Sequence, residues 1–141
     1  MAMLANLAIT TAVTAQTTTA LQLRDGPAET MSLQANFTYG SGGSTVSAWV
    51  QTSFDGGATW CDAANFSFTT SSSKSVMNVT SLTVIGTPLS VSDGSLASNT
   101  SPGSLIGYLW RVKYTTTGTY AGGTTLRIDA MPNRGRFTSL S

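Results

Sequence analysis

The sequence predicts an all-β protein, a single antiparallel β-sandwich with a jelly-roll-like arrangement of strands. Apolar and polar residues alternate in several short runs, which is the pattern of a strand with one buried face. Turns rich in glycine and serine separate these runs. No stretch has the 3.6-residue period of a convincing helix. A chain of 141 residues is long enough to bury one core and is expected to form one domain.

The alternation places strands along the whole chain. The clearest strand is residues 31–39, where every second residue is apolar and the residues between are polar. Further strands are predicted near residues 7–14, 20–24, 46–52, 60–68, 76–82 with 83–85, 108–114 and 125–130. One face of the strand near 108–114 is predicted to lie in the core; its members are Tyr108, Trp110, Val112 and Tyr114.

Two stretches predict loops. Residues 69–74 are polar, and residues 86–104 are rich in serine, glycine and asparagine and contain Pro88 and Pro102. A loop as long as the second is usually functional, mobile or held against a partner.

The two ends of the chain are predicted to differ from the central domain, which spans residues 17–132. Residues 1–16 are small and apolar and predict an extended N-terminal arm or an edge strand. They lack the positively charged start of a signal peptide. Residues 133–141 predict a C-terminal tail, in which Arg134 and Arg136 form a small basic cluster suited to an interface.

The composition argues against several classes of function. Charged residues make up 9% of the chain and the net charge is +1, so there is no basic field for nucleic acid and no polybasic run for a membrane surface. No segment has the length and apolarity of a membrane span. The exterior must be built largely of serine, threonine, asparagine, glutamine and glycine. Such a neutral surface favours a protein that packs against neighbours.

No catalytic, cofactor or metal site is predicted. The chain has no histidine, which removes the commonest general base and metal ligand. A glycosidase needs two carboxylates that flank a bond, and no such pair stands out among the six acidic residues. Asp93 could belong to a calcium-binding loop, but a single carboxylate there favours a plain turn.

Residues 53–60 predict a tight hairpin turn. Gly56 and Gly57 permit the positive φ that such a turn needs, and Asp55 can accept hydrogen bonds from the backbone that follows it. Ser53 and Thr59 are placed to bond across the turn. Trp60 is expected to cover one side of it.

The same eight residues fit the pattern Ser-x-Asp-x-Gly-x-Thr-Trp and resemble the Asp-box of sialidases and other extracellular β-proteins. That resemblance implies a structural role, because Asp-boxes lie away from the sialidase active site. The chain has one copy, whereas sialidases repeat the box around a propeller.

Two further residues are candidates for an interface. Trp49 lies on the face of its strand opposite Val46, Ala48 and Val50, and an outward tryptophan marks a protein interface or, less often, a sugar-binding platform. Cys61 is the sole cysteine. It can be a buried apolar residue or the site of an intermolecular disulfide, and the sequence leaves both open.

Three stretches, residues 17–27, 50–60 and 116–126, resemble small β-rich structural proteins of tailed bacteriophages and prophages. The resemblance implies a non-enzymatic virion component, assembled in the cytoplasm of a bacterial host. A capsid decoration (cement) protein is the favoured role, with the major capsid protein or other virion proteins as partners and a homo-oligomer such as a trimer as its state. The alternatives are a tail or neck component and a carbohydrate-binding module for attachment to the host surface.

Overall fold

The computed structural model describes residues 2–140, and the regular structure in this range is entirely β. The prediction of an all-β antiparallel sandwich is confirmed. The strands are β1 (Ala2–Ala8), β2 (Val13–Thr17), β3 (Leu21–Arg24), β4 (Thr30–Thr38), β5 (Ser41–Gly42), β6 (Thr45–Ser53), β7 (Cys61–Phe68), β8 (Ser73–Thr80), β9 (Leu109–Thr117), β10 (Tyr120–Ala121), β11 (Thr125–Pro132) and β12 (Arg136–Ser139).

Two antiparallel sheets form the layers of the sandwich. The first has the strand order β1-β11-β4-β8. The second has the order β12-β3-β9-β6-β7, and β2 pairs with β9 beside β3. A small ribbon of β10 and β5 lies at one end. Several neighbouring strands are distant in sequence, so the chain crosses repeatedly between the layers.

The core lies between the two sheets and is built from the inward residues of each strand. The alternation in residues 31–37 fits this arrangement, because Met31, Leu33, Ala35 and Phe37 are all buried. From the opposite sheet, Phe68 stacks on Phe37 with ring centroids 4.9 Å apart.

The N-terminal residues are part of the sandwich. β1 pairs with β11 from Ala2↔Ala130 to Ala8↔Thr125 and forms one edge of its sheet. Leu4 and Ile9 are buried in the core. Residues 2–8 are therefore an edge strand, which was one of the two alternatives, and the expectation of a free arm is wrong because this segment supplies core side chains.

The predicted strand near residues 7–14 is divided between two strands. β1 ends at Ala8 and lies in the first sheet, whereas β2 begins at Val13 and lies in the second. Ile9 N donates to Thr124 O at 2.9 Å, and Tyr120 N donates to Thr10 O at 2.7 Å. The chain changes sheets here, so one continuous strand is impossible.

The C-terminal residues also belong to a sheet. β12 pairs with β3 from Arg136↔Arg24 to Ser139↔Leu21. The expected tail at residues 133–141 is thus a strand over half of its described length. Its pairing with β3 extends the second sheet beyond the boundary predicted at residue 132.

Two local predictions in the second half are wrong. Residues 83–85 are not a strand but part of an irregular segment at the surface. Tyr108 is 62% exposed and lies just before the first residue of β9, whereas Trp110 and Val112 are buried as predicted.

Candidate functional site

The turn between β6 and β7 is fixed by the side chain of Asp55. Its Oδ1 accepts hydrogen bonds from Ser53 Oγ and from Thr59 N, both at 2.9 Å, and its Oδ2 accepts one from Thr59 Oγ1 at 2.6 Å. Gly57 N donates to Ser53 Oγ at 2.9 Å. Gly56 and Gly57 have φ of 73° and 94°. The hydrogen bonds expected across this turn are therefore present.

These hydrogen bonds also affect the charge of the turn. The side-chain hydrogen bond from Thr59, together with its backbone N–H and the hydroxyl of Ser53, holds the pKa of Asp55 below its ordinary value. The carboxylate thus favours the ionised, turn-closing form.

Trp60 packs against the guanidinium of Arg111, whose Cζ lies 4.1 Å from the ring centroid. Arg111 Nε donates to Gln51 Oε1 at 2.9 Å. Burial lowers the pKa of Arg111, and the charge of Asp93 acts in the opposite direction. One face of the Trp60 ring is thus covered by a cation from its own chain.

Asp62 is a buried carboxylate with five donor groups around it. Its Oδ1 accepts from Gln51 Nε2 at 2.9 Å, and its Oδ2 accepts from Ser92 Oγ at 2.9 Å. The backbone N–H groups of Gly94, Ser95 and Leu96 complete the set, with donor–acceptor distances between 2.8 and 3.1 Å. A carboxylate in such a nest of donors is well satisfied without a counter-ion.

Asp93 lies beside this nest. Lys113 Nζ and Gln51 Nε2 donate to its Oδ1 at 2.9 and 2.6 Å. Partial burial works to raise the pKa of Asp93, but the hydrogen bonds from Lys113 and Gln51 and the nearby charges outweigh it and leave the pKa below its ordinary value. Among residues 2–140 no three His, Cys, Asp or Glu side chains group closely enough to hold a metal ion.

Four of the five donors to Asp62 belong to the irregular segment 81–108, which we call the covering loop. It lies along the outer edge of β7: Asp62 N donates to Ser92 O at 2.8 Å, and Asn65 N donates to Thr100 O at 2.9 Å. Ser101 Oγ donates to Ala63 O at 2.6 Å. The edge of β7 is therefore closed to other chains by this loop.

The covering loop also explains why the side chain of Trp49 is half-buried. The side chain points away from the core, as predicted, but its Nε1 donates to Leu96 O at 3.0 Å and the residue is half-buried. Its cover is thus in part the protein's own loop, and a role of Trp49 in an interface or a sugar platform stays a prediction.

The other interface candidates have local partners or are hidden. Cys61 is buried and free, and burial, then the charges of Asp55, Asp62 and Asp93, raises the pKa of its thiol. A disulfide to another chain would first require this residue to be uncovered. Arg136 pairs with Asp25 on the surface, whereas Arg134 is exposed.

The start of the covering loop carries the feature that sequence reasoning missed. Five large apolar side chains within ten residues are between 42% and 88% exposed; they are Leu82, Val84, Ile85, Leu89 and Val91. We call residues 82–91 the apolar segment. Residues 76–82 and 83–85 were predicted as one or two short strands, but β8 ends at Thr80 and residues 81–91 form no strand.

None of the described residues form a helix with the length and apolarity needed to cross a bilayer. Comparison of the chain with models of protein families, with curated proteins and with solved structures gives no match. The function must therefore be inferred from the geometry of this chain.

Proposed function

We propose that this chain is a non-enzymatic structural protein of a phage particle, and specifically a capsid decoration protein. It would assemble in the host cytoplasm and stabilise the head through contacts with the major capsid protein and with further copies of itself. The observation that carries the proposal is the apolar segment 82–91, which presents five large apolar side chains on an otherwise neutral, hydroxyl-rich surface.

The contact energy available from this segment is appreciable. The combined exposure of the five side chains equals that of nearly three fully exposed ones. Complete burial of each such side chain contributes about 1.5–3 kcal/mol, so the segment offers about 4–9 kcal/mol per copy before the costs of association. Repetition on a symmetric shell multiplies even a modest net gain through avidity.

The edge of β8 adjoins the apolar segment and is open except at its end, where Thr80 N donates to Gly103 O at 2.7 Å. Within residues 2–140, β8 pairs with β4 alone, and the segment begins two residues after β8 ends. A neighbouring chain could add a strand to this edge while its apolar side chains cover residues 82–91. Backbone pairing would set the register of the contact, and apolar burial would supply its strength.

A tail or neck component would use the same kind of contact and differs mainly in copy number. A decoration protein is expected in hundreds of copies per particle, because it covers the repeating shell, whereas a neck component is expected in far fewer. Quantitative gels of purified particles separate these two roles.

The test of the assembly surface is a pair of polar substitutions. Val84→Ser with Ile85→Ser removes apolar surface that the fold itself leaves exposed, so we expect an unchanged Tm. Incorporation into particles should fall by at least about tenfold, since each 1.4 kcal/mol lost is a factor of ten. Met131→Ser is the control, because Met131 is 55% exposed but lies on β11, which β4 separates from β8. Incorporation of the double variant at the wild-type level would overturn the proposal.

A further inference from the structure

A cleft of about 360 Å³ lies at one end of the second sheet, where the β6–β7 turn meets the start of β9. Phe54 and Tyr108 line it, and they are 57% and 62% exposed. Gln22 and Leu140 lie on the same lining. The volume falls in the usual range for small-ligand sites.

The backbone holds both aromatic residues in place. Phe54 lies between Ser53 and Asp55, inside the hydrogen-bonded turn described above. Its ring is exposed although its backbone is fixed. The binding of a ligand that stacks on this ring would therefore lose little conformational entropy in ordering it.

Tyr108 is fixed from both sides. Its carbonyl accepts a hydrogen bond from Leu23 N at 2.7 Å. The preceding Gly107 donates from its N–H to Thr52 Oγ1 at 2.9 Å, and a Cβ there would lie 2.3 Å from Ser53 O. Only glycine allows this close approach of the two chains, so the position of Tyr108 relative to Phe54 is set by the sheet.

The polar groups of the cleft are uncharged. The side chain of Gln22 is held by Arg24, whose Nη2 donates to Gln22 Oε1 at 3.0 Å. No partner within residues 2–140 is found for the Nε2 of Gln22, which leaves this amide as a donor. Among the described residues, no charged side chain lines the cleft.

We propose that this cleft binds a neutral oligosaccharide. A sugar ring has an apolar C–H face that stacks on exposed aromatic rings and hydroxyls at its rim that bond to amide and hydroxyl groups. Phe54 and Tyr108 supply the first kind of contact, and Gln22 and the Tyr108 hydroxyl supply the second. The site is separate from the apolar segment and does not depend on the proposed role in assembly.

The test is an NMR titration of the full chain with five probes, the linear pentaoses of glucose, N-acetylglucosamine, galactose, mannose and rhamnose. We expect at least one probe to shift the resonances of Phe54 and Tyr108 in a saturable way. Phe54→Ala and Tyr108→Ala should each weaken that binding by about tenfold. Tyr108→Phe keeps the ring and should retain most of the affinity.

Val84→Ser is the matched control, because it alters the apolar segment and leaves the cleft intact. It should leave sugar binding unchanged whether or not it impairs assembly. The proposal is overturned if no probe shifts these resonances up to its solubility limit, or if both alanine variants bind as the wild type does. If the wild type binds no sugar, and Phe54→Ala or Tyr108→Ala reduces incorporation into particles, the cleft is instead a protein interface.

Discussion

The Oδ2 of Asp62 accepts a hydrogen bond from the backbone N–H of Ser95 at 3.0 Å across 33 residues of sequence. This contact joins the middle of the covering loop to the second residue of β7. It is one of several by which a single buried carboxylate organises the longest irregular segment of the protein.

Asp62→Asn should loosen that loop. The amide group that replaces one carboxylate oxygen cannot accept hydrogen bonds, so either Gln51 Nε2 or the N–H groups of Ser95 and Leu96 lose their acceptor at a buried site. We expect a loss of about 2–4 kcal/mol in the free energy of unfolding, measured by urea denaturation. Hydrogen exchange should accelerate at residues 92–96 and along β7.

Asp93→Asn is the control for this variant, because the Asp93 side chain is 51% exposed. Asp93→Asn should lower the free energy of unfolding less than Asp62→Asn does. Amide hydrogen exchange at Ser95 and Leu96 should remain slow in it. Equal protection of these amides in wild type and Asp62→Asn would contradict a role of the carboxylate in holding the loop.

The N-terminal strand should be required for folding. Leu4→Ala removes a buried side chain of β1, and we expect it to lower the free energy of unfolding by about 2–4 kcal/mol. Asn6→Ala on the exposed side of the same strand should have little effect. Circular dichroism during thermal unfolding measures both. A fully stable Leu4→Ala protein would restore the idea of a dispensable arm.

The Asp55 turn should make stability dependent on acid pH. Because hydrogen bonds from Thr59 and Ser53 depress the pKa of Asp55 in the fold, its contribution is present above the ordinary value of 3.8 and is lost as the pH falls through the folded pKa. Asp55→Asn should lower Tm by a few degrees at neutral pH. Its Tm should then fall less than that of the wild type between pH 4 and strongly acidic conditions.

Asp129→Asn is the control, since the half-buried Asp129 pairs with the exposed Arg127 and takes no part in the turn. It should keep the acid sensitivity of the wild type. If the Tm of Asp55→Asn falls at acid pH as much as that of the wild type, the turn does not depend on the ionised carboxylate.

The thiol of Cys61 should be inert in the folded protein. It is buried, and burial raises its pKa, so both access and thiolate formation are reduced. We expect labelling by iodoacetamide to be slower by orders of magnitude than in urea. Ser73→Cys at the exposed start of β8 should label rapidly under native conditions. A disulfide-linked dimer of the wild type on a non-reducing gel would contradict this prediction.

The sequence was sufficient to predict those structural features that depend on residues close together in the chain. The alternation from Met31 to Phe37 identified a buried face because side chains of a strand alternate with period two. The turn around Asp55 was predictable because its hydrogen bonds join residues at most four apart.

Features that depend on distant residues were not predictable. Trp49 pointed outward as its strand required, but only the tertiary structure brings Leu96 over it. β7 is buried on nearly all sides, so it lacks alternation, and nothing local indicated that Asp62 would be enclosed by residues 92–96. The run of small and amide residues Ala63, Ala64 and Asn65 was the available signal for a strand covered on both faces.

The cover over β7 has a consequence for how large any assembly of this chain can grow. A sheet that can recruit a partner along both margins extends without limit, as in fibrils. Here the loop blocks the β7 margin of the second sheet, whereas within residues 2–140 the first sheet has edge strands with no further strand partner, β1 and β8, at both margins. The second sheet can therefore recruit a strand along one side only, which prevents this sheet from extending into a fibril.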